Sequence, residues 1–252
     1  MRRARLIVLA AVSVLAACSG EAQAPPSGAA PPLSDRAAAE APQARVAPGG
    51  APAPAATSAA PGLAARRGEL VNPDNSARVF LYLDLAGIAP PIDDWVEKDS
   101  RVMYGPAPGK AAQRSVVKAE LESGVAAVRN IGAIRLSLNG AQLSEYDPSY
   151  GEFTVGALAP SSMVEFNALG QKVALKFGNA RSAQTWRVPP AEAQVIRDKI
   201  GPGGNVGLDV LLKIGGVQPG PGGGTIVVDV QEYELRLTRS GNMIGRVQVA
   251  RP

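Results

Sequence analysis

The chain contains no histidine and a single cysteine, Cys18, among 252 residues. The first absence excludes histidine-dependent catalytic triads, histidine general bases and histidine metal sites. The second excludes a disulfide framework and any zinc site built on several thiolates. No apolar run reaches the roughly 20 residues that a membrane-spanning helix needs. No acidic spacing matches the calcium-binding loop of an EF-hand. Glycine motifs for phosphate binding are also missing. "GPAPGKA", residues 105–111, has one residue too few between its glycines, an alanine where a P-loop needs Ser or Thr, and two prolines that remove N–H donors. "GPGGG", residues 220–224, leads into a strand pattern and lacks the helix that a dinucleotide site requires. Both read as loops, and the sequence implies no cofactor and no metal.

What is present begins at the N-terminus. Arg2, Arg3 and Arg5 precede an uncharged apolar run, residues 6–17, with the size of a signal-peptide core. That run ends in Leu15-Ala16-Ala17-Cys18, which resembles the lipobox of bacterial lipoproteins. The resemblance implies cleavage before Cys18, with Cys18 the acylated first residue of the mature protein. It also implies localisation in the cell envelope. Ser19 stands where aspartate commonly signals inner-membrane retention, which favours the outer membrane, periplasmic face. With Cys18 acylated, no free thiol remains for catalysis or metal binding.

Three of the chain's net +4 charges are Arg2, Arg3 and Arg5, leaving +1 on the mature protein. The apparent basicity therefore does not argue for nucleic acid. Residues 18–68 are rich in Ala, Pro, Gly and Ser, as in "APGGAPAPAATSAAPG". Such a composition buries too little surface to offset its backbone entropy and predicts a disordered tether. At ~3.1 Å per residue its extended reach would exceed about 100 Å.

Residues 69–252 are long enough for one domain. "NPDNSARVFLYLDLAG", residues 72–87, reads as a helix with Asp74 or Asn75 as N-cap and Gly87 beyond its end, although Val79, Leu81, Leu83 and Leu85 also alternate as a strand would. A second helix is expected with Asp93 and Asp94 in its first turn, and a third around residues 110–130, with Val117, Leu121, Val125 and Val128 on one face. The period then becomes two at Ile134, Leu136 and Leu138, and again at Val173, Leu175 and Phe177. A helix beginning at Pro189-Pro190 precedes three further strands, residues 206–214, 226–237 and 244–249, with "GGVQPGPGGG" between the first two read as a flexible loop. The expected class is α+β, with N-terminal helices followed by a mainly antiparallel β-sheet and one inserted helix. Within residues 226–237 the apolar phase changes, from Ile226, Val228 and Val230 to Tyr233, Leu235 and Leu237. A β-bulge at Gln231 and Glu232 would return both sets to one face.

"SLNGAQLSEYDPSYGEF", "VALKFGN", "WRVPPAEAQVIRDKI", "LDVLLKI" and "VDVQEYELRL" together resemble an uncharacterised domain of bacterial envelope lipoproteins. That resemblance implies no activity.

An enzyme built on this chain would have to use carboxylates, Lys, Ser or Tyr. Glu145 and Glu152 could flank a glycosidic bond across a hairpin; as plain structure they are the solvent faces of two strands. Asp147 reads as a turn cap, and Asp93 and Asp94 as helix-end charges. Tyr146 and Tyr150 beside Asp147 are the candidate binding residues, able to stack on a sugar or peptide, though such tyrosines also pack on their own hairpin. No catalytic residue is assigned. The expectation is a lipid-anchored binding or scaffolding module for an envelope protein, glycan or cell-wall partner. The alternative is a carboxylate-dependent hydrolase of envelope polymers.

Overall fold

The computed structural model describes residues 62–201 and 205–250. The expected signal peptide, Cys18 and most of the expected tether lie outside the described residues. The first described segment is already part of the packed domain: Leu63 lies against the core, and Arg66 pairs with Asp84 at 2.6 Å.

Helix α1 (Asn75–Ala86) starts and stops as its ends dictate. The Asp74 carboxylate accepts from the Ala77 N–H at 2.7 Å, and Gly87 closes the helix in the left-handed region at φ 67°. Val79, Phe80, Leu81, Tyr82, Leu83 and Leu85 are all buried. A helix apolar on nearly every side must be covered on every side. The sheet covers α1 on one flank, and α2 (Ile92–Lys98) and α4 (Lys110–Ala127) cover it on another. Gly124 of α4 admits the Phe80 ring, because a Cβ there would lie 2.6 Å from it, and Trp95 of α2 packs on the same ring at 5.8 Å between centres. Asp99 caps the short α3 (Ser100–Met103).

The main sheet has seven strands. Strand β1 (Gly68–Val71) pairs with β2 (Ile131–Gln142), which pairs with β7 (Asn205–Gly220), then β8 (Gly223–Leu237). The far edge of β8 is shared. Its first half pairs with β5 (Gln171–Phe177), which carries β4 (Met163–Ala168), and its second half pairs with β9 (Met243–Gln248). A separate two-stranded sheet joins β3 (Glu152–Thr154) to β6 (Thr185–Arg187). The short α5 (Ala180–Ala183) and α6 (Pro190–Ile200) flank β6 in the chain.

The α+β class holds, but its finer description changes in three ways. After a single 3-10 turn at Leu63–Ala65, strand β1 precedes the α-helices. Two helices, α5 and α6, interrupt the strands, where one was expected. The sheet is mixed: β1–β2 and β5–β8 are parallel. Helices α1 to α4 cross between β1 and β2, as a parallel pair demands, although the sequence pattern argues against a strand–helix–strand unit.

The expected bulge is present. Leu211 lies opposite Glu232 and Leu212 opposite Val230, so Gln231 has no partner on β7. Val228, Val230, Tyr233 and Leu235 consequently all face the core at 1% exposure or less. The Tyr233 hydroxyl has no hydrogen-bond partner among the described residues, and burial pushes its pKa up. A buried orphan hydroxyl is a cost. Tyr233→Phe is therefore expected to leave stability unchanged or raise it by up to about 1 kcal/mol, measured by urea denaturation; a clear loss would mean that the hydroxyl is hydrogen-bonded.

The "GGVQPGPGGG" segment is not a flexible loop. Strand β7 runs through it to Gly220, and β8 resumes at Gly223, leaving only Pro221 and Gly222 as the turn. Its glycines mark close approach of other chain segments. A Cβ on Gly224 would lie 2.5 Å from both Gln218 O and the Tyr82 ring, and the Tyr82 hydroxyl donates to Gly223 O at 2.6 Å.

Candidate functional site

The hairpin that the sequence singled out is built by Asp147. Its carboxylate accepts from the Ser149 N–H at 2.8 Å, and its backbone N–H donates to Glu152 O at 2.9 Å. This is a turn cap of the Asx kind. Tyr146 packs on Phe153 at 5.2 Å between ring centres and donates to Val188 O at 3.0 Å. Tyr150 is 75% exposed at the tip. Tyr146 and Asp147 thus hold the hairpin together; Asp147 and Tyr150 are both exposed, and only Tyr146 is half-buried. Glu145 is exposed, while Glu152 pairs with Arg187 at 3.4 Å. Asp93 pairs with Lys118 at 2.8 Å across α2 and α4, and Asp94 is exposed in the same first turn.

Acidic groups do converge elsewhere, on the outward face of the main sheet. Asp209, Glu232 and Glu234 line a hollow of about 260 Å³ with Arg135 and Arg236. Cross-strand register places them: Asp209 stands opposite Glu234. Each carboxylate has a guanidinium partner. Arg236 bonds Asp209 and Glu234, Arg135 lies 3.8 Å from Glu232, and Arg246 lies 3.1 Å from Glu234 and 3.6 Å from Glu232. Hydrogen bonds from Arg135 to Glu69 and from Arg236 to Asp209 push the pKa of both guanidiniums up. Glu97, Asp99 and Glu120 are displaced downward, chiefly by hydrogen bonds from Arg114 to Glu97 and from Arg101 to the other two. That direction is the reverse of what a general acid needs. Among the described residues, no cluster of three or more Asp, Glu or Cys groups could hold a metal ion. No described helix is long and apolar enough to cross a membrane.

A larger hollow, about 530 Å³, lies between β6 and β9. Thr185, Trp186 and Arg187 line it from β6, Arg246, Val247 and Gln248 from β9, and Arg181 and Ser182 from α5. The Trp186 ring reaches up to Gly245, where any side chain would collide with it, and so sets β6 beneath β9. The Val249 N–H donates to Gln231 O at 2.9 Å, which makes that pair a hydrogen-bonded one. By antiparallel alternation, the backbone N–H and C=O of Gln248 and Arg246 then point away from β8, toward the hollow. The same reasoning applies to β6. Val188 N–H donates to Gly151 O and Val155 N–H to Gln184 O, so the backbone groups of Thr185 and Arg187 point outward. Neither outward edge has a backbone partner among the described residues.

The other two edges of the main sheet are blunted. β1 has only four residues. β4 is overlaid by the start of α1: Asn75 Nδ2 reaches Asn167 O at 3.5 Å, and the Arg78 guanidinium sits 3.8 Å over the Phe166 ring. The sequence had no signal for the β6–β9 hollow, because its two walls come from segments some sixty positions apart whose meeting depends on Trp186 and Gly245.

Comparison with protein-family models, with curated proteins and with solved structures gave no match for this chain.

Proposed function

We propose that this chain is a lipid-anchored protein of the bacterial cell envelope, held at the outer membrane through Cys18. Its folded domain serves as a non-catalytic binding or scaffolding module for a protein, glycan or cell-wall partner. The anchoring rests on "LAAC" at residues 15–18 behind an arginine-led apolar run. Diacylation or more would make such an anchor stable, where one chain gives only marginal attachment.

The observation that carries the binding role is the open edge of β9 beside a hollow of about 530 Å³. Binding modules use such edges to add a strand from a partner. The acidic hollow on the sheet face gives no comparable support to hydrolysis, because each of its carboxylates faces an arginine. A glycosidase needs one carboxyl group kept protonated near neutral pH.

Cys18→Ala is expected to abolish the acyl mass shift on the mature N-terminus and to release the protein from the membrane fraction. Intact-mass spectrometry and fractionation check this. A variant that keeps both the acyl mass and the membrane retention defeats the anchoring proposal.

A further inference from the structure

The outward edge of β9 has what strand addition requires. Arg246 and Gln248 present two sets of backbone N–H and C=O groups, unpaired among the described residues, on a six-residue strand. The hollow beside that edge is lined mainly by polar side chains, Arg181, Ser182, Thr185, Arg187, Arg246 and Gln248, with Val247 and the largely buried Trp186 as its apolar members. Its rim carries three arginines. Arg181 makes no ion pair among the described residues. Arg187 is 80% exposed with only a 3.4 Å contact to Glu152, and Arg246, at the edge itself, is paired with Glu234 at 3.1 Å and Glu232 at 3.6 Å. A second hollow of about 420 Å³ shares Arg181 and Ser182 and adds Lys176 together with Asp229.

We infer that β9 is a docking edge for an extended acidic peptide segment of a partner protein, which pairs with the backbone of Arg246 and Gln248 and sets its carboxylates against Arg181, Arg187 and Arg246. This rests on the binding-module reading and names the site and the partner's chemistry. Main-chain bonds supply affinity in this mode and the rim supplies selectivity. An acidic segment relieves the exposed Arg181 and Arg187, whereas a basic one meets them as like charges.

The geometry allows a test that spares the fold. The Gln248 N–H points outward, so Gln248→Pro removes a docking donor without removing a backbone bond to β8; it gives up only the exposed side-chain bond from Gln248 Nε2 to Glu232, and proline is tolerated at such edge positions. The probe is a fluorescein-labelled peptide of alternating glutamate and valine, about eight residues long as strands commonly are. A second peptide carries lysine for glutamate. Binding is read by fluorescence anisotropy with the full chain in detergent.

The glutamate peptide should bind, and about 0.5 M salt, where screening acts over a few ångströms, should weaken it. The lysine peptide should bind at least about tenfold more weakly. Gln248→Pro and Arg181→Glu should each cost about tenfold or more, with the melting temperature unchanged. Should Gln248→Pro unfold the chain, Arg181→Glu decides alone. Absence of binding by the wild type, equal binding of the lysine peptide, or binding unaffected by both variants overturns the site. A wild-type dimer that Gln248→Pro dissociates assigns the edge to a second copy and likewise overturns the peptide. Crosslinking in native envelopes separates the two levels of the proposal. Crosslinks that persist in Gln248→Pro overturn this site and leave the binding module standing, whereas a wild-type chain that crosslinks to nothing removes both.

Discussion

Gly223→Ala is expected to destabilise the domain by about 3–5 kcal/mol, enough to consume much of the stability of an ordinary domain. Two causes act together. Gly223 sits at φ 148°, a conformation open to glycine and strained for any residue with a Cβ. A Cβ there would also overlap the carbonyl oxygen of Lys172, where β5 runs parallel to β8. That oxygen is main chain and cannot turn aside as a flexible side chain would. The Lys172 N–H donates to Gly222 O at 2.9 Å, so moving the β5 backbone would also disturb this bond. The control is Gly222→Asn, one residue earlier. Gly222 is at φ 69° with nothing within 4 Å of a built Cβ, and asparagine tolerates that region. It should cost about 1 kcal/mol or less. Chemical denaturation of both variants decides between a packed turn and a flexible loop. Equal, small losses at the two positions would restore the loop.

The same segment shows why part of this fold was legible and part was not. Helix α1 could be read because its signals are local: Asp74, Gly87 and an apolar stretch of helical length lie within sixteen residues. The bulge at Gln231 could be read because a change of apolar phase within one strand has few solutions. Residues 215–224 misled because glycine serves two purposes. It loosens a chain, and it also lets another backbone come close, and only Lys172 and Tyr82, far away in sequence, distinguish the two. The parallel β1–β2 and β5–β8 pairs were missed for a similar reason, since partner choice is not written into either strand. β1 is four residues long and carries no usable period. At the candidate hairpin, the turn role of Asp147 was readable from its position before proline, and the packing of Tyr146 on Phe153 fits its spacing. The open edge of β9 was not readable, because an edge is defined by which strand fails to arrive.

Asn179 is expected to be the most sensitive polar side chain in the domain. It is buried at 9% exposure, the only polar residue so buried among those described. Its position explains it. β8 needs a partner along its whole far edge, but β5 ends at Phe177 and β9 reaches back only to Val249, which donates to Gln231 O. Between them the Gly178 N–H donates to Val228 O at 2.8 Å, and the backbone of Val230 is left without a strand. The Asn179 amide fills that gap: its Nδ2 donates to Val230 O at 2.8 Å, and its Oδ1 accepts from the Val230 N–H at 2.9 Å. One side chain thus stands in for one residue of a missing strand, next to the bulge.

Asn179→Leu removes both bonds and leaves a buried donor and acceptor orphaned, at about 1–3 kcal/mol each. Urea denaturation should therefore show a loss of about 2–5 kcal/mol. Asn179→Asp separates the two bonds. The ionised carboxylate of that variant still accepts from the Val230 N–H but turns a negative oxygen toward Val230 O, beside Asp229 in the same hollow. Burial and these neighbours, set against Lys176 and Arg181 at its mouth, raise the variant's carboxyl pKa above its unfolded value of about 3.9. A raised acid contributes stability below the unfolded pKa and loses it as pH climbs through the folded one. The protonated acid can also donate to Val230 O, as the amide does. The deficit of Asn179→Asp relative to wild type should therefore be small near pH 4 and grow toward pH 7, while that of Asn179→Leu stays level. A deficit of Asn179→Asp that does not change with pH would show that the Asn179 amide does not bridge the gap in the β8 edge.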